Sequence, residues 1–208
     1  MKAILKEYFT GCLTIPNLLS VIRIALIPVF AVLYYNGDYG WAVLVLALSG
    51  STDFFDGKIA RKFNQISALG KLLDPIADKL TQITIAIVFY LTFSNSSDET
   101  VKTFSWIFLV FIAKELVMVV GGAIMIMFGL KPVAAEMPGK IATFAFYVIM
   151  CVILAFGPDV GIIGNVFTLN ATLMLVLVAI SLVLTLVAFF SYVPGVINQI
   201  KEKKANSK

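Results

Sequence analysis

The chain has 208 residues, 60% of them hydrophobic and only 13% charged, with a net charge of +4. A soluble domain carries roughly 25% charged residues, so the composition excludes an ordinary soluble enzyme and points to one domain immersed in a bilayer. There is no histidine, and the two cysteines, Cys12 and Cys151, lack metal-ligand spacing; any catalysis must therefore rest on carboxylates, and the cysteines read as small hydrophobes.

Residues 1–16, "MKAILKEYFTGCLTIP", begin basic but have neither a small-residue cleavage site nor a long apolar core. They are expected to be retained as a short interfacial helix. Six apolar windows follow, at 17–36, 40–61, 70–93, 103–129, 138–156 and 167–193. About 20 apolar residues cross a bilayer as a helix, whereas an open strand in lipid leaves its backbone groups unpaired. The expected fold is an all-α integral membrane protein with six transmembrane helices. Residues 17–195 form its catalytic membrane domain and 196–208 a basic cytoplasmic tail.

The cations set the expected orientation. Lys2 and Lys6 precede the first span; Lys58, Arg61, Lys62, Lys71 and Lys79 surround the second connection; Lys131 and Lys140 flank the fourth; Lys201, Lys203, Lys204 and Lys208 form the tail. The alternate connections, "YYNGDYG", "SNSSDETVK" and "GPDVGIIGN", contribute only Lys102. Both termini are thus expected in the cytoplasm, with Tyr34, Tyr35, Tyr39, Trp41 and Trp106 in an aromatic belt at the outer boundary. The lysine tail would lie against anionic lipid.

The most polar stretch is "DFFDGKIARKFNQISALGKLLDPIADK", residues 53–79. Helical spacing puts Asp53, Asp56, Gly57 and Ala60 on one stripe at the end of the second span, and Gly70, Asp74 and Asp78 on another at the start of the third. The short connection makes the two spans antiparallel neighbours, so four carboxylates can face one crevice. Left bare, they would repel and some would protonate. Oxygen ligands suit Mg²⁺ or Mn²⁺, and two such ions balance four negative charges. A two-metal site grips a diphosphate and stabilises charge during phosphoryl transfer. Gly57 and Ala60 allow a nucleotide or a facing helix to approach closely, while Arg61 can fork onto phosphate oxygens. Asp74 before Pro75 would, alone, read as a helix cap; the full register argues otherwise. A membrane prenyltransferase would separate its Asp motifs more widely in a longer chain. An ion-coupled transporter has no need of Gly57, Ala60 and Arg61 in register.

The pattern DxxDGxxAR, eight residues, then GxxxDxxxD is carried by Asp53, Asp56, Gly57, Ala60, Arg61, Gly70, Asp74 and Asp78. At every position it resembles the signature of the CDP-alcohol phosphotransferases. "IPNLLSVIRIALIPV" and "LDPIADK" look like the phosphatidylglycerophosphate synthase and cardiolipin synthase branch of that family. The resemblance implies a six-helix protein of the cell membrane, usually a homodimer, with its active site facing the cytoplasm and no nucleic-acid partner. It implies attack by an alcohol on the lipid-side phosphorus of CDP-diacylglycerol, with CMP leaving and Mg²⁺ or Mn²⁺ as cofactor. By the same resemblance Asp53, Asp56, Asp74 and Asp78 bind metal, and Asp78 is also the catalytic base. Asp53, Asp56, Gly57, Ala60, Arg61 and Gly70 would contact the CDP moiety.

Lys114 and Glu115 lie within the fourth span, in "FIAKELVM", where ionisable residues are functional candidates. With Lys140 they make the expected acceptor site. Phosphatidylglycerophosphate synthases resemble this chain here but have Arg-Glu, a further arginine downstream and GKxKT at the next helix. In this sequence Lys114 replaces the first arginine, the second is missing, and "GKIAT" keeps Gly139, Lys140 and Thr143 but has Ala142 for the second lysine. The dianionic phosphate of glycerol 3-phosphate wants several cationic donors. Phosphatidylglycerol, the acceptor in cardiolipin synthesis, carries one charge and needs more apolar access. Glycerol 3-phosphate stands first as the expected acceptor, with phosphatidylglycerol the alternative. Arg23, in the first span, is expected either to reach the head-group region or to snorkel to the surface.

Overall fold

A computed structural model describes residues 14–62, 70–128, 130, 137–157 and 169–206, with 16, 53–62, 70–75, 126, 204 and 206 described by backbone alone. Eight helices occupy these residues: α1 Ile15–Tyr35, α2 Tyr39–Lys62, α3 Gly70–Ser94, α4 Glu99–Thr103, α5 Trp106–Met127, α6 Met137–Phe156, α7 Ala171–Ser191 and α8 Val193–Asn206. Local sequence explains their starts. The Thr14 hydroxyl accepts the Asn17 N–H at 3.3 Å, and Pro16 sits in the first turn of α1, where its missing N–H has no intrahelical role. Gly37, at φ +82°, lets the chain reverse between α1 and α2. Asp98 and Asn170 cap α4 and α7 through their side-chain oxygens.

Five stretches among the described residues are long and apolar enough to cross a membrane: Asn17–Tyr35, Ile76–Ser94, Glu99–Met125, Met137–Phe156 and Ala171–Lys203. The chain is an all-α integral membrane protein. The window expected at 40–61 falls within one continuous helix, in which the apolar stretch Tyr39–Thr52 is followed by Asp53, Asp56, Lys58, Arg61 and Lys62. The interfacial helix expected before residue 14 and the connection 63–69 lie outside the described residues. Large apolar side chains such as Val32, Leu48, Leu91 and Val187 face outward; in hydrocarbon such exposure carries no hydrophobic cost.

Contacts fix how the helices run. At one end of the bundle the Tyr34 hydroxyl and Thr92 Oγ1 are 2.6 Å apart, and the Tyr34 ring meets Tyr39 edge-on at 5.2 Å. Phe89 and Phe93 of α3 pack there on Phe108 of α5, at ring distances of 5.5 and 4.9 Å. The ends of α1 and α3 therefore meet the beginnings of α2 and α5. So α1 and α3 run one way, and α2 and α5 the other. Trp41 and Trp106, both exposed, mark the same end, as an aromatic belt requires.

One layer deeper, Ile27 of α1, Leu46 and Ser49 of α2, and Thr81 and Thr84 of α3 line a single small cavity. Helix α1 packs on both α2 and α3, α5 packs on α3, and α6 packs on α2 and α7. Beyond this layer α2 continues one turn past Ser49 to Asp53, while Asp78 and Asp74 precede Thr81 by one and two turns. The signature positions on both helices thus fall at the end opposite Tyr34. Held by close packing rather than by water expulsion, the bundle brings them there with α1 wedged against both helices.

Candidate active site

The inward face of α1 changes character along its length. Asn17, Ser20 and Arg23, spaced by three, are all buried, whereas the next inward residues, Leu26, Ile27 and Phe30, are apolar. Arg23 is 0% exposed, so of its two expected placements snorkelling to the surface is the one it does not take: it lies on the face covered by α2 and α3. A guanidinium survives such burial only among compensating groups, and its end of α1 is the end to which the aspartate positions fall.

Asp78 is the one signature aspartate whose side chain is described. Gln82, one turn on, donates from Nε2 to Oδ1 and Oδ2, each at 3.0 Å. Lys79 Nζ lies 3.6 Å from Asp78 Oδ2 and 2.9 Å from Glu115 Oε2 on α5. Glu115 in turn pairs through Oε1 with Lys114. Negative and positive groups therefore alternate from Asp78 to Lys79 to Glu115 to Lys114 across two helices. Each ion alone would cost several kcal/mol to desolvate, and alternation with hydrogen bonding is what allows them inside a span.

The two lysines of this series, Lys79 and Lys114, line a small cleft between α3, α5, α6 and α7. Its polar lining comes from Lys79, Gln82, Lys114, Thr143, Thr185 and Tyr192. Met118, Ala142, Ala188 and Phe189 supply the apolar part of a mostly polar lining. Ala142 is buried at 4% exposure, so the position compared above with the second lysine of GKxKT presents a methyl group in the cleft wall.

Of the expected site residues, Asp78, Lys114 and Glu115 come together. Lys140 is exposed on the first turn of α6, beside Gly139 and Thr143, which line the cleft. Asp53, Asp56, Gly57, Ala60 and Arg61 occupy the last turns of α2, and Gly70 and Asp74 the first turns of α3, by backbone; their side chains lie outside the described residues. Sequence reasoning missed Lys79 as a site residue, counting it only for orientation, and missed Gln82, Thr185 and Tyr192 altogether. Gln82 carried a usable signal, a polar residue four positions after Asp78 at the point where α3 becomes apolar.

The donor chemistry suits a hard divalent ion: four signature carboxylates, with no histidine anywhere in the chain. The described member of the set, Asp78, has its carboxylate oriented by Gln82 and Lys79, as supported metal ligands are.

The sequence profile described as CDP-alcohol phosphatidyltransferase matches residues 13–187, and the chain belongs to that family. It is 41% identical over 138 residues to cardiolipin synthase (CMP-forming) of Streptomyces coelicolor, covering 64% of this chain and 60% of that protein. A putative cardiolipin synthase of Mycobacterium bovis is 40% identical over 139 residues, covering 65% and 62%. CDP-diacylglycerol–glycerol-3-phosphate 3-phosphatidyltransferase of Pseudomonas fluorescens is 43% identical over 79 residues, covering 36% and 40%. The match thus spans about three-fifths of the length of the two synthases.

Proposed function

We propose that the protein is a metal-dependent phosphatidyltransferase of the cell membrane, which moves the phosphatidyl group of CDP-diacylglycerol to an alcohol and releases CMP. In this reading it crosses the membrane six times as a homodimer, with both termini and the active site facing the cytoplasm. The observation that carries the proposal is the Asp78 carboxylate, a signature residue, standing beside a lysine-lined cleft.

The chain's own residues divide the work. Arg61 and the small Gly57, Ala60 and Gly70 seat the CDP group. Lys79 and Lys114 hold the acceptor's phosphate in the cleft. Asp78 takes the acceptor's hydroxyl proton as the acceptor oxygen bonds to the lipid-side phosphorus and the bond from that phosphorus to CMP breaks, the electron pair leaving with CMP. Mg²⁺ or Mn²⁺ held by Asp53, Asp56, Asp74 and Asp78 would supply neutralisation of the diphosphate charge.

The cleft's charge selects among acceptors. Lys79 and Lys114 share Glu115 and Lys79 also faces Asp78, so the four groups balance; once a divalent ion takes up the charge of Asp78, a single excess cation is left. Ala142 adds none where a second lysine would. A phosphodiester with one negative charge matches that balance, and Met118, Ala188 and Phe189 provide apolar wall for a lipid head. Phosphatidylglycerol, and so cardiolipin synthesis, therefore moves ahead of glycerol 3-phosphate. The names of the Streptomyces and Mycobacterium relatives support this order. The Pseudomonas relative's name favours glycerol 3-phosphate over a shorter match, and Lys140 beside the cleft would supply a further cation for it.

Detergent-purified protein given CDP-diacylglycerol with each acceptor in parallel, followed by lipid chromatography, tests the proposal. Cardiolipin is the expected product. Phosphatidylglycerophosphate instead would transfer the assignment to the second acceptor, and no CMP with either would overturn phosphatidyl transfer.

A further inference from the structure

Gln82 is 5% exposed and stands one turn beyond Asp78 on α3, its side chain lining the same cleft. Its Nε2 is 3.0 Å from Oδ1 and 3.0 Å from Oδ2. Equal distances put the amide nitrogen on the plane that bisects the carboxylate, the locus that a chelating cation also occupies. Two centres cannot share it. An ionised carboxylate offers about four lone-pair sites, and a donor held between the two inner ones leaves the outer ones to other partners. A neutral amide is suited to this place, since it orients the carboxylate without cancelling its charge. Lys79, a nearby cation, stands farther off at 3.6 Å and closer to Glu115, at 2.9 Å.

We propose that Gln82 is a positioning residue that bars Asp78 from chelating a divalent ion through both oxygens. Asp78 then meets a metal through one oxygen at most and presents a lone pair to the acceptor's hydroxyl proton. The role rests on the phosphatidyl-transfer reading above and assigns to this chain a residue outside the eight-position signature. It also explains why a buried polar side chain is kept inside an apolar span, where an isosteric methionine would pack with no polar group to satisfy.

The test uses full-length protein in detergent with Gln82→Met, which removes the donor at similar volume, and Gln82→Glu, which keeps the shape without an N–H toward Asp78. Three quantities are read: CMP release under steady-state conditions, Mn²⁺ binding to the nucleotide-free protein by electron paramagnetic resonance, and Tm. For Gln82→Met the kcat should fall about tenfold or more with KM for CDP-diacylglycerol within about twofold. Mn²⁺ should bind at least as tightly as to wild type, because chelation is now open. Gln82→Glu should bind Mn²⁺ more tightly while also losing kcat, and it carries the test should Gln82→Met fail to fold. Wild-type kcat in either folded variant, or weakened Mn²⁺ binding in Gln82→Met at unchanged Tm, would overturn the role while leaving phosphatidyl transfer intact. No CMP release from the wild type would overturn the transfer reading, and this role with it.

Discussion

Lys79 of α3 and Glu115 of α5 meet at 2.9 Å, Nζ to Oε2, with the carboxylate side chain only 3% exposed. The bond ties the signature helix to the helix that carries the other cleft lysine, Lys114. Glu115 thus holds two cations at once. Replacing it with leucine takes the counter-ion from Lys114 and leaves Lys79 only Asp78, at 3.6 Å. The expected cost is about 3 kcal/mol, read as a lower Tm in detergent. Glu115→Gln should keep more stability and raise the relative use of glycerol 3-phosphate over phosphatidylglycerol, measured as a ratio of kcat/KM. An unchanged ratio would remove cleft charge as the selector.

Lys114→Gln should raise the acceptor's KM by about tenfold, the worth of one charge-assisted hydrogen bond, with a much smaller change for CDP-diacylglycerol. Equal changes for both substrates would count against a role in binding the acceptor.

Ala142→Lys places a second ammonium in the cleft wall. Because Ala142 is buried, the long side chain has to reach into the cleft to keep its charge solvated. Initial rates with the two acceptors should then shift toward the dianion, glycerol 3-phosphate. A variant that folds and keeps its preference would separate acceptor choice from cleft charge.

Tyr34→Phe removes the 2.6 Å hydrogen bond to Thr92 at the opposite end of the bundle. A loss of about 1 kcal/mol in stability is expected, visible in Tm, with turnover per folded molecule unchanged. A fall in kcat would show that the two ends are coupled.

Much of the site was legible because helical spacing is rigid. Asp53 to Asp78 could be placed on two stripes from sequence alone, and the backbone carries those positions on α2 and α3 at one end of the bundle. Polar residues in an apolar span were equally visible, which is why Lys114 and Glu115 stood out as candidates. What sequence could not supply was partner choice over distance. Nothing in one chain says that Lys79 should meet Glu115, 36 positions later, or that Thr185 and Tyr192 should close the same cleft. Arg23 illustrates the same limit: its stem is long enough to reach a surface, and only the packing of α1 against both α2 and α3 decides that it stays inside. Helix α2 joins an apolar stretch, Tyr39–Thr52, to the signature positions that follow it on the same helix.

Phosphatidyl transfer at Asp78 is tested most directly by CMP release from CDP-diacylglycerol and phosphatidylglycerol in the presence of Mg²⁺, comparing wild type with Asp78→Asn at matched Tm. Wild type should form one cardiolipin per CMP, and the variant, though folded and still binding the nucleotide, should be slower by at least about a hundredfold. Undiminished release by Asp78→Asn would contradict the account, as would its absence in the wild type.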